Sequence, residues 1–197
     1  MDFVNASSVD RQDVVKDTIN SGEYSPCKDF YKDIREAIVS MFKDGGSIEK
    51  LEEEINLVRD EKKTQYLLLL QGFKTWINKK KIVYLGAEAC NFELNGLDLS
   101  INPELLLEIN GEKTVVKLFF KGGKQKAERK KASVIPVLMK TAFVAFGEEY
   151  KDYNFAVLDI CNGKLFRITP STPIDKILLT LNTEAKNWLE YQSELQK

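Results

Sequence analysis

The chain has 197 residues, 43% of them hydrophobic, with 11 Phe, 7 Tyr and 2 Trp, which suits one domain with a substantial core. Its formal charge of −1 at pH 7 gives no global pull toward nucleic acid or an anionic membrane, so any such affinity has to be local. It contains no histidine, which excludes Ser-His-Asp and Cys-His nucleophile activation, HExxH zinc sites and histidine general bases, and leaves chemistry run by carboxylates, lysine, tyrosine or a carboxylate-bound hard cation.

Residues 1–24 are polar, acidic and weakly periodic, and read as a mobile arm or one short helix. The opening MDFVNASSVDRQD has neither a basic n-region nor an apolar h-region, and no apolar run approaches the ~20 residues needed to cross a bilayer. The expectation is a cytoplasmic protein with no membrane contact. Cys27, Cys90 and Cys161 are far apart, odd in number and without CxxC or metal-finger spacing, which reads as buried free thiols in a reducing compartment.

Residues 25–80 form the helical part. Ser25-Pro26 predicts a helix start, and Phe30, Ile34, Ile38, Met41 and Phe42 follow at helical spacing until Gly45-Gly46 stops the run. Ser47 caps a second helix with Ile48, Leu51, Ile55 and Val58 inward and an acidic outer face of Glu49, Glu52, Glu53 and Glu54. A third helix, roughly 64 to 78, puts Tyr66, Leu69, Leu70, Phe73 and Ile77 on one stripe, and Leu67 and Leu68 widen it enough to suggest burial on two sides.

From residue 82 the apolar period alternates. Asn95-Gly96, Asn110-Gly111 and Asn162-Gly163 each predict a tight hairpin, because both residues of the pair tolerate positive φ. The expected meander runs over 89–94, then 97–101 continuing as 104–109 past Asn102-Pro103, then 112–121. A two-residue turn at Asn110-Gly111 places Glu104 opposite Lys117 and Glu108 opposite Lys113, while Leu105, Leu107, Ile109, Val116, Leu118 and Phe120 face a core. After Gly122-Gly123 come a basic segment and a helix with Val134, Val137, Leu138, Thr141 and Val144 on its stripe, delayed or kinked by Pro136. A strand over 155–160, a hairpin return over 165–168 and a helix through Ile177, Leu181 and Trp188 close the chain. The whole, 1–197, reads as a single α+β domain: helices, an antiparallel three-strand meander, a crossover helix and further strands in one mixed sheet over 82–197.

That order is also the core arrangement of the PD-(D/E)XK phosphodiesterase fold of restriction enzymes and RecB-like nucleases, and two pieces of sequence resemble its motif. Pro103-Glu104 resembles the proline-acid, and Val115-Val116-Lys117 resembles the third-strand acid-x-lysine. The resemblance implies a restriction-endonuclease-like core over roughly 82–160, Glu104 and Lys117 as the catalytic candidates, Glu104 as a metal ligand, and Mg²⁺ as the cofactor if the chain is catalytic. Val115 stands where the family has its second acid, which implies an incomplete metal site, a non-catalytic protein and no cofactor. The wording Asp29-Phe30-Tyr31, Asn102-Pro103-Glu104-Leu105 and Lys117-Leu118-Phe119-Phe120-Lys121 also resembles a group of bacterial proteins of unassigned function. Taken by itself, Glu104 opposite Lys117 reads first as a cross-strand ion pair worth up to ~1 kcal/mol.

The segment 117–131 holds Lys117, Lys121, Lys124, Lys126, Arg129, Lys130 and Lys131 against Glu128 alone. Such a patch is the footprint of phosphate contact, and also what a solvated loop looks like. Phe73 and Trp76, beside Lys74 and Lys79 to Lys81, offer stacking on bases, although aromatic residues at helical spacing also build cores. Three readings stay open: a nucleic-acid-associated or accessory protein without catalysis; an active metal-dependent nuclease with a relocated acid, for which Glu36 is a donor; and a protein-interaction module using the acidic helix and basic segment.

Overall fold

The computed structural model describes residues 10–20, 29–120 and 129–195. Its centre is a five-stranded mixed sheet of β1 (Ile82–Gly86), β4 (Leu105–Ile109), β5 (Glu112–Phe119), β6 (Asn154–Asp159) and β7 (Lys164–Arg167), in the order β1-β4-β5-β6-β7. Neighbours run antiparallel except β5 and β6, which are parallel and joined by the crossover helix α5 (Arg129–Phe146). The hairpin β2 (Cys90–Leu94) and β3 (Leu97–Ile101) forms its own two-stranded sheet.

This is α+β as expected, with the meander corrected. Its first strand is β1, paired with β4, and β2–β3 is an excursion between them. The chain does not continue from β3 into β4 because Pro103 has no N–H to give a ladder, so the Asn102-Pro103 step ends one sheet and the next strand enters another.

Both faces of the main sheet are covered. On one, Leu105, Leu107, Ile109, Val116, Leu118 and Phe120 meet α2 (Lys32–Lys43), α3 (Ile48–Asn56) and α4 (Asp60–Ile77). On the other, Leu106, Val115 and Phe155 meet Met139, Ala142 and Phe143 of α5, with Cys90 and Ile101 of the hairpin. Strand alternation therefore feeds two cores, one per face.

Local signals explain most element ends. Gly45, at φ 65°, ends α2, with the Gly46 N–H donating to Met41 O at 2.8 Å. Ser47 Oγ accepts the Lys50 N–H at 3.3 Å and starts α3. The Ser25-Pro26 signal lies outside the described residues; α2 itself follows a turn in which Asp29 Oδ1 accepts the Tyr31 N–H at 3.1 Å. Helix α4 starts at Asp60, and Leu67 and Leu68 are exposed, so it buries one stripe only and belongs to the outer layer. Pro136 sits inside α5, which begins well before it.

Two Asn-Gly pairs make the expected two-residue turns, with φ of 51° and 84° at Asn95 and Gly96 and 53° and 91° at Asn110 and Gly111. The third does not. Asp159 pairs with Lys164, leaving a four-residue loop over 160–163 in which only Gly163 has positive φ, at 60°. The cause is Asp159, whose carboxylate accepts the Asn162 N–H at 3.1 Å and Asn162 Nδ2 at 2.8 Å and so spends the asparagine on closing a wider loop.

The closing helix α6 (Ile174–Leu195) packs on α5 and carries α1 (Arg11–Asn20). Val15 is fully buried there, and Arg11 Nη2 lies 2.6 Å from Glu184 Oε1 with both side chains largely covered. The part of the expected arm over 11–20 is thus a docked helix. No helix among the described residues is long and apolar enough to cross a membrane.

Candidate functional site

The β4–β5 register ends with Leu105 opposite Val116, and Glu104, the residue just before β4, reaches Lys117 through its side chain. Lys117 Nζ donates to Glu104 Oε1 at 2.6 Å and to the Asn102 carbonyl at 2.7 Å. The Leu118 N–H donates to Glu104 Oε2 at 2.7 Å. Both carboxylate oxygens are therefore engaged, one by an ammonium and one by the backbone of β5. The Glu104 side chain is 12% exposed and that of Lys117 37%. The expected pair is brought together, in the expected register.

Val115 lies two residues before Lys117 on the same face of β5, 1% exposed among Leu106, Met139, Phe143 and Phe155. The position that the motif reserves for a second acid is thus in apolar contact. Glu36 is exposed on α2, 3.7 Å from Lys32, and α2 covers the opposite face of the sheet. Among the described residues, no group of three or more His, Cys, Asp or Glu is placed to hold a metal ion.

One acid escaped the sequence reading. Asp159 is 1% exposed at the end of β6, in register with Phe119 and hence on the face that carries Lys117. Its oxygens are turned onto Asn162. An acid closing the apolar run Phe155 to Leu158 just ahead of Asn162-Gly163 was the available signal.

Among the basic candidates, Lys121, Lys124 and Lys126 lie outside the described residues, while Arg129, Lys130 and Lys131 occupy the first turn of α5. Phe73 and Trp76 are buried at 0% and 2% exposure in the helical core, each edge-to-face with Phe42, so they present no surface to a base. Of the two readings of these residues the structure has the core one: the stripe that carries them is the one that packs.

Cys90 is buried, and burial pushes its thiol up, whereas Cys161 is half-buried in the β6–β7 loop. Brief alkylation of the folded protein at pH 8 should mark Cys161 ahead of Cys90, because the thiolate is the reactive form. Peptide mass spectrometry reads the order, and earlier marking of Cys90 would contradict the hairpin's packing on α5.

Comparison with protein-family models, with curated proteins and with solved structures finds no match to this chain.

Proposed function

We propose that this chain is a nucleic-acid-associated accessory protein built on a degenerate PD-(D/E)XK-like core, with no hydrolytic activity of its own and a cytoplasmic setting. The observation that carries the reading is the state of Glu104: Lys117 Nζ and the Leu118 N–H hold its two oxygens, and Val115 stands where a second acid is needed. A divalent cation such as Mg²⁺ favours one or two carboxylates within near-octahedral oxygen surroundings. A lone carboxylate already neutralised by an ammonium at 2.6 Å does not fit it. The order α4, β1, β4, β5, α5, β6, with β6 parallel beside β5, supports the core assignment. The basic run into the first turn of α5 supports a phosphate partner.

Purified protein with Mg²⁺ or Mn²⁺ should cleave single- or double-stranded DNA and RNA no faster than its Glu104→Gln variant. Robust metal-dependent cleavage lost in Glu104→Gln would replace this reading with an active nuclease. Nucleic-acid binding should weaken steeply with salt, and converting Lys124, Lys126, Lys130 and Lys131 to Ala should flatten the log–log slope by about 0.7–0.9 for each phosphate no longer neutralised. Salt-insensitive binding, or none, would favour the protein-interaction module.

A further inference from the structure

A groove lined by two cations lies across α5 from Glu104 and Lys117, in residues the basic segment does not include. Between β7, the start of α6 and Ser133 of α5 runs a groove of about 670 Å³. Lys164, Phe166, Arg167, Thr169 and Thr172 line it, and no carboxylate does. That composition departs from a chain whose net charge is −1.

The sheet register relates this groove to the first site. Lys117 pairs with Val157, and Val157 pairs with Phe166, so Lys117 and Phe166 stand in one row on one face, two strand spacings or roughly 10 Å apart. Lys164, paired with Asp159, is in the next row on that face. Helix α5 packs over β6 between them, and Arg129, Lys130 and Lys131 form its first turn. Lys117 and Lys164 thus stand on either side of α5.

The groove combines three things. Lys164 is exposed and has no ion-pair partner among the described residues, while Asp159 opposite it is turned onto Asn162. Arg167 is shared with Glu112 at 2.9 Å, so it adds less free charge. Phe166 is half-buried and offers part of its ring, while the Thr169 and Thr172 hydroxyls at the rim are hydrogen-bonded within their own turn and hold its shape.

We propose that this groove seats single-stranded nucleic acid, with Lys164 against a phosphate and a base stacked on Phe166. A cationic track beside an aromatic platform is how single strands are held without sequence preference. A duplex keeps its bases stacked inside and cannot present one to Phe166. The assignment rests on the nucleic-acid reading above and names the form of the partner.

The test uses the full chain and a labelled twenty-nucleotide oligothymidylate, with a duplex of equal length as comparison, read by fluorescence anisotropy across a salt series. The single strand should bind at least tenfold more tightly than the duplex. Phe166→Ala should weaken single-strand binding at least fivefold and leave the salt slope unchanged, whereas Phe166→Trp should retain binding. Lys164→Glu should weaken it comparably and lower the slope by about 0.7. Because Lys164 is exposed, that variant keeps the test decisive if Phe166→Ala lowers stability. Equal or tighter duplex binding, or single-strand binding untouched by Lys164→Glu and Phe166→Ala, overturns the groove assignment while leaving the nucleic-acid reading in place. Absence of binding to either probe overturns both.

Discussion

Gly72→Ala is expected to destabilise the protein by about 3 kcal/mol or more. Helix propensity alone predicts the opposite sign, since Ala is favoured over Gly inside a helix by roughly 1 kcal/mol. The reason is contact. A Cβ at Gly72 on α4 would lie 2.7 Å from the Cys161 carbonyl carbon and closer still to the carbonyl oxygens of Ile160 and Cys161. Those are backbone atoms of the β6–β7 loop and cannot swing aside as a side chain does. The approach is mutual, because a Cβ at Gly163 would overlap the Gly72 carbonyl oxygen. For a chain of this length, 3 kcal/mol corresponds to a fall of roughly 6–12 °C in Tm. Gly45→Ala is the control: its φ of 65° strains an alanine, but nothing lies within 4 Å, so a cost of about 1–2 kcal/mol is expected. Chemical denaturation of both variants checks the contrast, and a neutral or stabilised Gly72→Ala would mean that α4 does not pack on that loop.

The same loop marks where sequence reading stopped. Asn95-Gly96 and Asn110-Gly111 carry their geometry with them, because a two-residue turn needs positive φ at both positions and little else. Reading the second of them was enough to place Glu104 opposite Lys117. Asn162-Gly163 is the same dipeptide with a different outcome, set by the Asp159 carboxylate and by Gly72, ninety residues earlier in the chain. Strand β1 was lost for a related reason. Ile82 to Gly86 is short, and its partner, β4, lies beyond an intervening hairpin, so its pairing is non-local. The apolar periodicity of α4 was legible, but the depth of its burial was not: Leu67 and Leu68 look like core residues and stand in solvent, and only the sheet's position decides that. For the site, the pair was legible and its state was not. Neither the Leu118 N–H on Glu104 nor the groove on β7 has a local sequence signature.

Glu104→Ala and Lys117→Ala should differ in cost although they delete the two halves of one ion pair. Removing Lys117 leaves Glu104 with the Leu118 N–H, and the deleted partner is an ammonium 37% exposed to solvent, so a cost of about 1 kcal/mol or less is expected. Removing Glu104 strips the largely buried Leu118 N–H of its acceptor and leaves Lys117 only the Asn102 carbonyl, for about 2–3 kcal/mol. Raising the salt to 1 M should shrink the first cost and spare most of the second, since a backbone hydrogen bond is not screened as a solvent-facing charge pair is. Equal costs, or equal salt dependence, would show that Glu104 acts only through Lys117 and does not hold the end of β5. The asymmetry also chooses the variant for the cleavage test. Glu104→Gln keeps an oxygen for the Leu118 N–H while removing the charge a metal would need, so a loss of activity there reports on chemistry rather than on a strand coming loose.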